Sequence, residues 1–263
     1  MSYVTSRAVR VTHAYDALFG ALQLTSGLQH LHSHDLGLLF DAAYTALLYS
    51  HAPKYLRDMQ QDLDELLTRA HAQPRHLLEM HGALVLMRDF DAARALRQRY
   101  PQVPFEAIPT ITTLSRRCHP ATPNVFAWEP STQSLRCRPA LYEAAACILV
   151  LAAPSCAMSQ AALRLIEQDP VLHAVFKTHA AWLIPPRSTL DLEAMVHWNS
   201  AHPQAALVLM HHASDWPIAS PFKTPTFCFR RANGMTRIVT AMPLPALGLA
   251  LHREIVAAHL PSG

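Results

Sequence analysis

The sequence predicts a chain of two unlike parts: an all-α region of helical hairpins over residues 1–105 and an α/β region over residues 124–263. Three observations carry this. Apolar residues recur at intervals of three and four between residues 35 and 100, the pattern of helices that bury one face. From 101 to 123 that rhythm stops in "PQVPFEAIPTITTLSRRCHPATP", which holds five prolines and reads as a linker or an extended crossing. From 141 onward, short apolar runs alternate with helical patterns, as expected of strands buried on both faces between crossover helices.

Within the first part, "DLGLLFDAAYTALLYS" repeats Leu38, Leu39, Ala42, Ala43, Ala46 and Leu47 at helical spacing, with Asp35 as the expected N-cap. "KYLRDMQQDLDELLTRAHA" continues through Leu56, Met59, Leu63, Leu66 and Leu67. Pro74 suits the first turn of a third helix, because a first-turn residue has no intrahelical use for its N–H. A fourth helix, "DFDAARALRQRY", ends before Pro101. The spacing predicts antiparallel hairpins with Leu38, Leu63, Leu78 and Ala93 facing inward. Ala83 and Ala93 would let the third and fourth helices cross closely, with "RDFDAA" as their turn. Those roughly 25 residues resemble a tetratricopeptide-like hairpin. Such arrays need about three repeats, so a small bundle is an equal reading.

Residues 106–123 are expected to link the two parts. "NVFAWEPSTQSLRCRP" then predicts a hairpin around "EPSTQS". The next strands are expected at Cys147–Ala153, Ala180–Ile184, Ala205–Met210, Thr226–Arg230 and Thr236–Thr240. Asp169 before Pro170 reads as an N-cap that restarts a kinked helix. "RANG" is expected to turn the last hairpin, and a closing helix runs from Leu244 to His259.

Composition narrows the function classes. Net charge is +3 and only 16% of residues are charged, without a dense Lys/Arg patch, which argues against a nucleic-acid binder. No apolar stretch reaches the roughly 18 residues of a membrane span. Asp16 and His13 interrupt the apolar character of the N-terminus, which reads as mature sequence. Five cysteines in 263 residues do not predict a disulfide framework, so a cytoplasmic protein with reduced thiols is expected. HExxH, paired CxxC and Gly-rich phosphate loops are all missing, and no cofactor is expected.

One apolar run, "CILVLAAPSCAMSQ", passes through a short turn to Cys156 and then into a helix; about 70 residues on stands "KTPTFCF". Together with the strand order, these segments resemble the thioredoxin fold over residues 124 to 260, in the version of TlpA-like thiol-disulfide oxidoreductases and peroxiredoxins. The resemblance implies that Cys156 is the active-site cysteine at a helix N-terminus and that Pro225 is the cis-proline facing it. Two departures stand out. Ser159 replaces the family's second cysteine, and Ser155 replaces the aromatic residue that commonly precedes the first.

A helix N-terminus favours a thiolate through its free N–H groups and dipole. The Ser159 hydroxyl, one turn in, could donate to it. Without a partner at that spacing, Cys156 would remain in a mixed disulfide until glutathione, Cys118, Cys137 or another thiol resolved it. Alternatively, Cys156 only fills space in a scaffold that has lost its chemistry. Cys147 and Cys228 read as core. Seventeen histidines supply further candidates. His30, His32 and His34 alternate in "HLHSHD" and would share one face of an extended segment, as metal ligands do. His211 or His212, at the end of a strand, could act as a base or tune the thiol. The leading expectation is a partner-binding protein with a degenerate Cys-x-x-Ser domain, such as the accessory subunit of another enzyme. The alternative is a monothiol oxidoreductase that uses Cys156.

Overall fold

The computed structural model describes residues 3–113, 123–140, 147–216, 223–230, 236–240 and 242–260. The chain divides into two compact units. One holds the chain to Ile108 together with Pro186–Leu190; the other begins at Pro109 and takes most of the remainder.

The first unit is helical: α1 (Tyr3–Phe19), α2 (Thr25–His30), α3 (Ser33–Ser50), α4 (Pro53–Thr68), α5 (Pro74–Leu86) and α6 (Phe90–Arg99). Its core is built from Leu36, Leu39, Phe40, Ala43, Met59, Leu63, Leu66, Met80, Ala83 and Ala93. Leu63 and Ala93 point inward as their spacing predicts, but Leu38 and Leu78 are 54% and 40% exposed. The correction is one of phase. Apolar residues lie on several faces of α3, and the face that packs carries Leu36, Leu39, Phe40, Ala43 and Leu47. Asp35 is not a cap either; α3 starts three residues earlier than that cap implies, with His32 at the N-cap position and Asp35 in the first turn. Asp89 caps α6 by accepting from the Ala92 N–H at 3.1 Å. Pro186–Leu190 belongs here because the Glu106 carboxylate accepts the Leu190 N–H, 3.0 Å from each oxygen. Gly82 makes room for the same segment: a Cβ there would come within 3.2 Å of Ser188 Cβ.

The second unit is an eight-stranded mixed sheet. In chain order its strands are β1 (Thr110–Thr113), β2 (Asn124–Glu129), β3 (Ser134–Pro139), β4 (Cys147–Leu151), β5 (Ala180–Ile184), β6 (Leu207–Met210), β7 (Thr226–Arg230) and β8 (Thr236–Thr240). Across the sheet they run β1-β3-β2-β6-β5-β4-β7-β8. β4, β5 and β6 are parallel; β7 and β8 form an antiparallel hairpin beside β4, and the β2–β3 hairpin joins antiparallel to β6. Thr110–Thr113, within the Pro-rich segment, pairs parallel to β3 as an edge strand. Two strands are shorter than the sequence predicts: β4 stops at Leu151 and β6 starts at Leu207, after a 3-10 turn at Pro203–Ala205. The "RANG" turn and Cys118 lie outside the described residues.

The helices of this unit are α7 (Ala157–Gln168), α8 (Pro170–His179), α9 (Leu192–Ala201) and α10 (Leu244–Ala257). Asp169 ends α7 and caps α8, accepting from the Val171 and Leu172 N–H groups at 3.0 Å each. All five β4 residues are buried, and their alternation splits two cores. Leu149 and Leu151 join Val125, Leu183, Met210, Trp216 and Cys228 in one apolar cluster. In the other core the Phe176 ring of α8 lies 5.9 Å from Phe227 and 6.3 Å from Trp182. Burial of each such aromatic side chain contributes roughly 1.5–3 kcal/mol. A β4–α–β5 crossover followed by the β7–β8 hairpin and α10, with the strand order β5-β4-β7-β8, is a thioredoxin-like arrangement.

Candidate active site

Central strand β4 delivers the chain to a tight turn. The Ala152 N–H donates to the Leu183 carbonyl at 2.9 Å, so strand pairing continues one residue beyond β4. The Cys156 N–H then closes the turn onto the Ala153 carbonyl at 3.0 Å. Gln160 reaches back with its side-chain amide to donate to the Pro154 carbonyl at 2.8 Å, and its backbone N–H donates to the Cys156 carbonyl at 3.1 Å, which opens α7. Cys156 is therefore the N-cap residue, with extended backbone, and its side chain stands over the first turn.

The thiol is partly exposed. It donates to the Thr224 carbonyl at 3.6 Å, and the next peptide bond, Thr224–Pro225, is cis. Sequence reasoning named Pro225; it missed Thr224, the residue that actually meets the sulfur. Burial of Cys156 opposes the thiolate, but donors outweigh it and hold the thiol below its ordinary pKa. They are the Ser159 N–H and hydroxyl, Thr224, and the Met158 N–H. Thr224 thus has two relations to the sulfur: its carbonyl takes the proton of the neutral thiol, and its hydroxyl favours the anion. In the neutral form no cap hydrogen bond to Cys156 is closed, so the helix N–H groups serve the charged form.

Ser159 is fully buried, and its oxygen accepts the Ala153 N–H at 3.3 Å. With its acceptor side occupied by the backbone, its proton is free to point at Cys156. Ser159 is thus a wired hydroxyl between the turn and the sulfur.

The remaining candidates separate from this site. Burial raises the Cys147 thiol, and it raises that of Cys228 to about 12. Cys137 is buried in β3 and disulfide-bonded. That removes Cys137 as a resolving thiol, while Cys147, Cys156 and Cys228 are thiols. His211 and His212 follow β6, two strands from β4 and therefore about 10 Å away across the sheet. Their rings lie 3.8 Å apart, and His211 packs on Phe126 and sits 4.0 Å from Asp215. Neither is among the main groups that set the Cys156 pKa, so the expected tuning role is not supported. His30 ends α2, His32 precedes α3 and His34 lies inside it. The extended segment that would align them does not exist, and among the described residues no group of three or more ligating side chains could hold a metal.

A weakly acidic, partly exposed thiol beside a cis-proline loop can attack a disulfide. No protein-family model matches the chain, and no curated protein matches it. Among solved structures, dsbF of MTB in its mixed oxidized and reduced forms is 14% identical, with a TM-score of 0.26 over 41% of this chain and 80% of that one. A thioredoxin-like protein from Bacteroides caccae ATCC 43185 is 10% identical, with a TM-score of 0.31 over 87% of this chain and 80% of that one. Scores this low establish no equivalence of residues; the fold assignment rests on strand order, the helix that follows β4, and the cis-proline loop.

Proposed function

We propose that this chain is a monothiol thiol–disulfide exchange protein with Cys156 as its nucleophile. The observation that supports it is the state of that thiol: partly exposed, at a helix N-terminus, and held below its ordinary pKa by Ser159, Thr224 and Met158 against the cost of burial. An inert scaffold predicts a covered, unreactive cysteine, the condition of Cys147 and Cys228.

In the reaction the Cys156 thiolate attacks one sulfur of a disulfide R–S–S–R′. The Cys156–S–S–R bond forms, the old S–S bond breaks, and R′ leaves as a thiolate that takes up a proton. A second thiol, as its thiolate R″–S⁻, then attacks the R sulfur of the mixed disulfide; R–S–S–R″ forms, the Cys156–S–S–R bond breaks, and Cys156 leaves as the thiolate. Ser159 supplies no second sulfur, and the other described cysteines are buried. The resolving thiol in this reading comes from outside, with glutathione as the simplest candidate. The helical unit selects the protein partner, a reading supported by the exposed Leu38 and Leu78.

The test is to incubate the protein, with the Cys137 disulfide intact and Cys156 free, with oxidised glutathione and map adducts by mass spectrometry. A single glutathionyl group on Cys156, lost in Cys156→Ser, is expected. No adduct on folded protein, or an equal adduct on Cys147 or Cys228, would return the chain to the partner-binding reading.

A further inference from the structure

A slot of about 330 Å³ opens beside the elbow where α7 meets α8. It lies at the edge of the sheet opposite Cys156: its wall includes the 3-10 turn that precedes β6, whereas Cys156 follows the far end of β4, which runs parallel. Leu163, Ile166, Phe176 and Trp182 form its floor, each at most 4% exposed. The two rings offer an aromatic surface, 6.3 Å apart at an interplanar angle of 52°.

Two polar bridges span the slot and hold its walls together. His202 Nδ1 lies 2.7 Å from Glu167 Oε1, and His173 Nε2 lies 3.2 Å from Gln204 Oε1. They join α7 and α8 on one side to the turn after α9 on the other. Glu167, the one acidic group of the lining, is occupied by His202. Lys177, the cation of the rim, forms no ion pair among the described residues.

We infer that this slot binds a small aryl carboxylate, with its ring on Phe176 and Trp182 and its carboxylate at Lys177. Three features point to that class. Its volume sits at the low end of the roughly 300–1,000 Å³ typical of ligand pockets, which fits a one-ring or two-ring molecule. Rings of the floor favour stacked or edge-on aromatic partners over an aliphatic chain. The free charge at the mouth is positive, and the Glu167 carboxylate is already engaged by the His202 ring at 2.7 Å. The site is independent of the thiol: neither Cys156 nor Thr224 lines it.

The test uses the full chain and two probes of nearly equal shape, 3-phenylpropanoate and 3-phenylpropanamide. Binding is followed by the indole N–H signal of Trp182 in 1H–15N spectra. Saturable shifts at Trp182 are expected, with the carboxylate binding about fivefold tighter than the amide, the scale of an exposed ion pair. Lys177→Gln should remove that advantage without weakening the amide. Ala201→Phe, an exposed change at the mouth, should abolish binding of both. Equal affinity for the two probes, an undiminished advantage in Lys177→Gln, or shifts that map away from Trp182 would overturn the assignment. So would the absence of any saturable shift. Glutathione adduct formation at Cys156 is read separately, so either result stands without the other.

Discussion

The Cys156 thiol meets the Thr224 carbonyl at 3.6 Å, directly before the cis bond to Pro225. Residues 68 positions apart in sequence thus share one proton. Removing that proton trades a weak S–H donor for an anion that Ser159, Thr224 and Met158 can all serve. The rate of alkylation of Cys156 by iodoacetamide should therefore rise and level off at lower pH than for a free thiol of pKa about 8.5. Cys147 and Cys228, whose thiols burial pushes up, should remain unlabelled in folded protein at neutral pH. Peptide mapping after short labelling at several pH values checks both statements, and first labelling of either buried cysteine contradicts them.

Ser159→Ala separates the hydroxyl from the helix. The N–H groups of Met158 and Ser159 remain, so part of the thiolate preference should survive, and the alkylation profile should move upward in pH without returning to that of an unfolded thiol. Stability should also fall, by about 1–3 kcal/mol, because the buried Ala153 N–H loses its acceptor. Urea unfolding measures the second effect. A profile that does not move would mean the hydroxyl serves only the backbone.

How much of this was legible in sequence depends on how local each feature is. Cys156, Ser159 and the restart at Asp169–Pro170 are set by neighbours within one helical turn, and the sequence places them well. Pro225 was found through its resemblance to a known pattern, whereas Thr224 needed coordinates, since only folding brings its carbonyl to the sulfur. In α3, apolar residues on several faces left the spacing unable to choose between the Leu38 face and the Leu36–Phe40–Ala43 face. Packing partners made that choice. The disulfide at Cys137 was equally hidden, because cysteine spacing carries no pairing information. α1, with low mean hydropathy and its aromatic anchors Tyr15 and Phe19 confined to the last two turns, gave no run long enough to read.

Asp169→Ala should weaken the α7–α8 elbow. Its carboxylate accepts two N–H groups at the start of α8 and lies 2.7 Å from His252 of α10. Loss of the cap costs about 1 kcal/mol. The carboxyl is held below its ordinary pKa, first by the Leu172 N–H and then by His252. A depressed pKa contributes stability that is present above the unfolded value of about 3.9 and is lost as pH falls through the folded one. The difference between wild type and Asp169→Ala in thermal unfolding should therefore be full at pH 6 and shrink in strong acid. A gap that stays constant down to pH 2 would contradict the assignment.

Asp62 should give the opposite pH dependence. It lies fully buried on α4, where Gln23, from the segment after α1, donates to its Oδ2 at 3.2 Å, while Oδ1 has no hydrogen-bond partner. Tyr15 sits beside it and donates to Asp58, a second carboxylate one turn away on α4. Burial raises the Asp62 pKa to about 7, with a further push from Asp58, although the Gln23 bond works in the other direction. Because the folded value lies above the unfolded one, the helical unit keeps this contribution in full below about pH 4. It is lost progressively as pH rises, and by pH 8 the buried carboxylate is charged. Asp62→Asn keeps the shape and removes that charge. It should raise stability at pH 8, by on the order of 2 kcal/mol, and add little at pH 4.5, where wild-type Asp62 is already neutral. Urea titrations of both proteins at the two pH values decide the matter. An Asn variant that is destabilised equally at both would show that the carboxylate is held by partners beyond Gln23 and not by a proton.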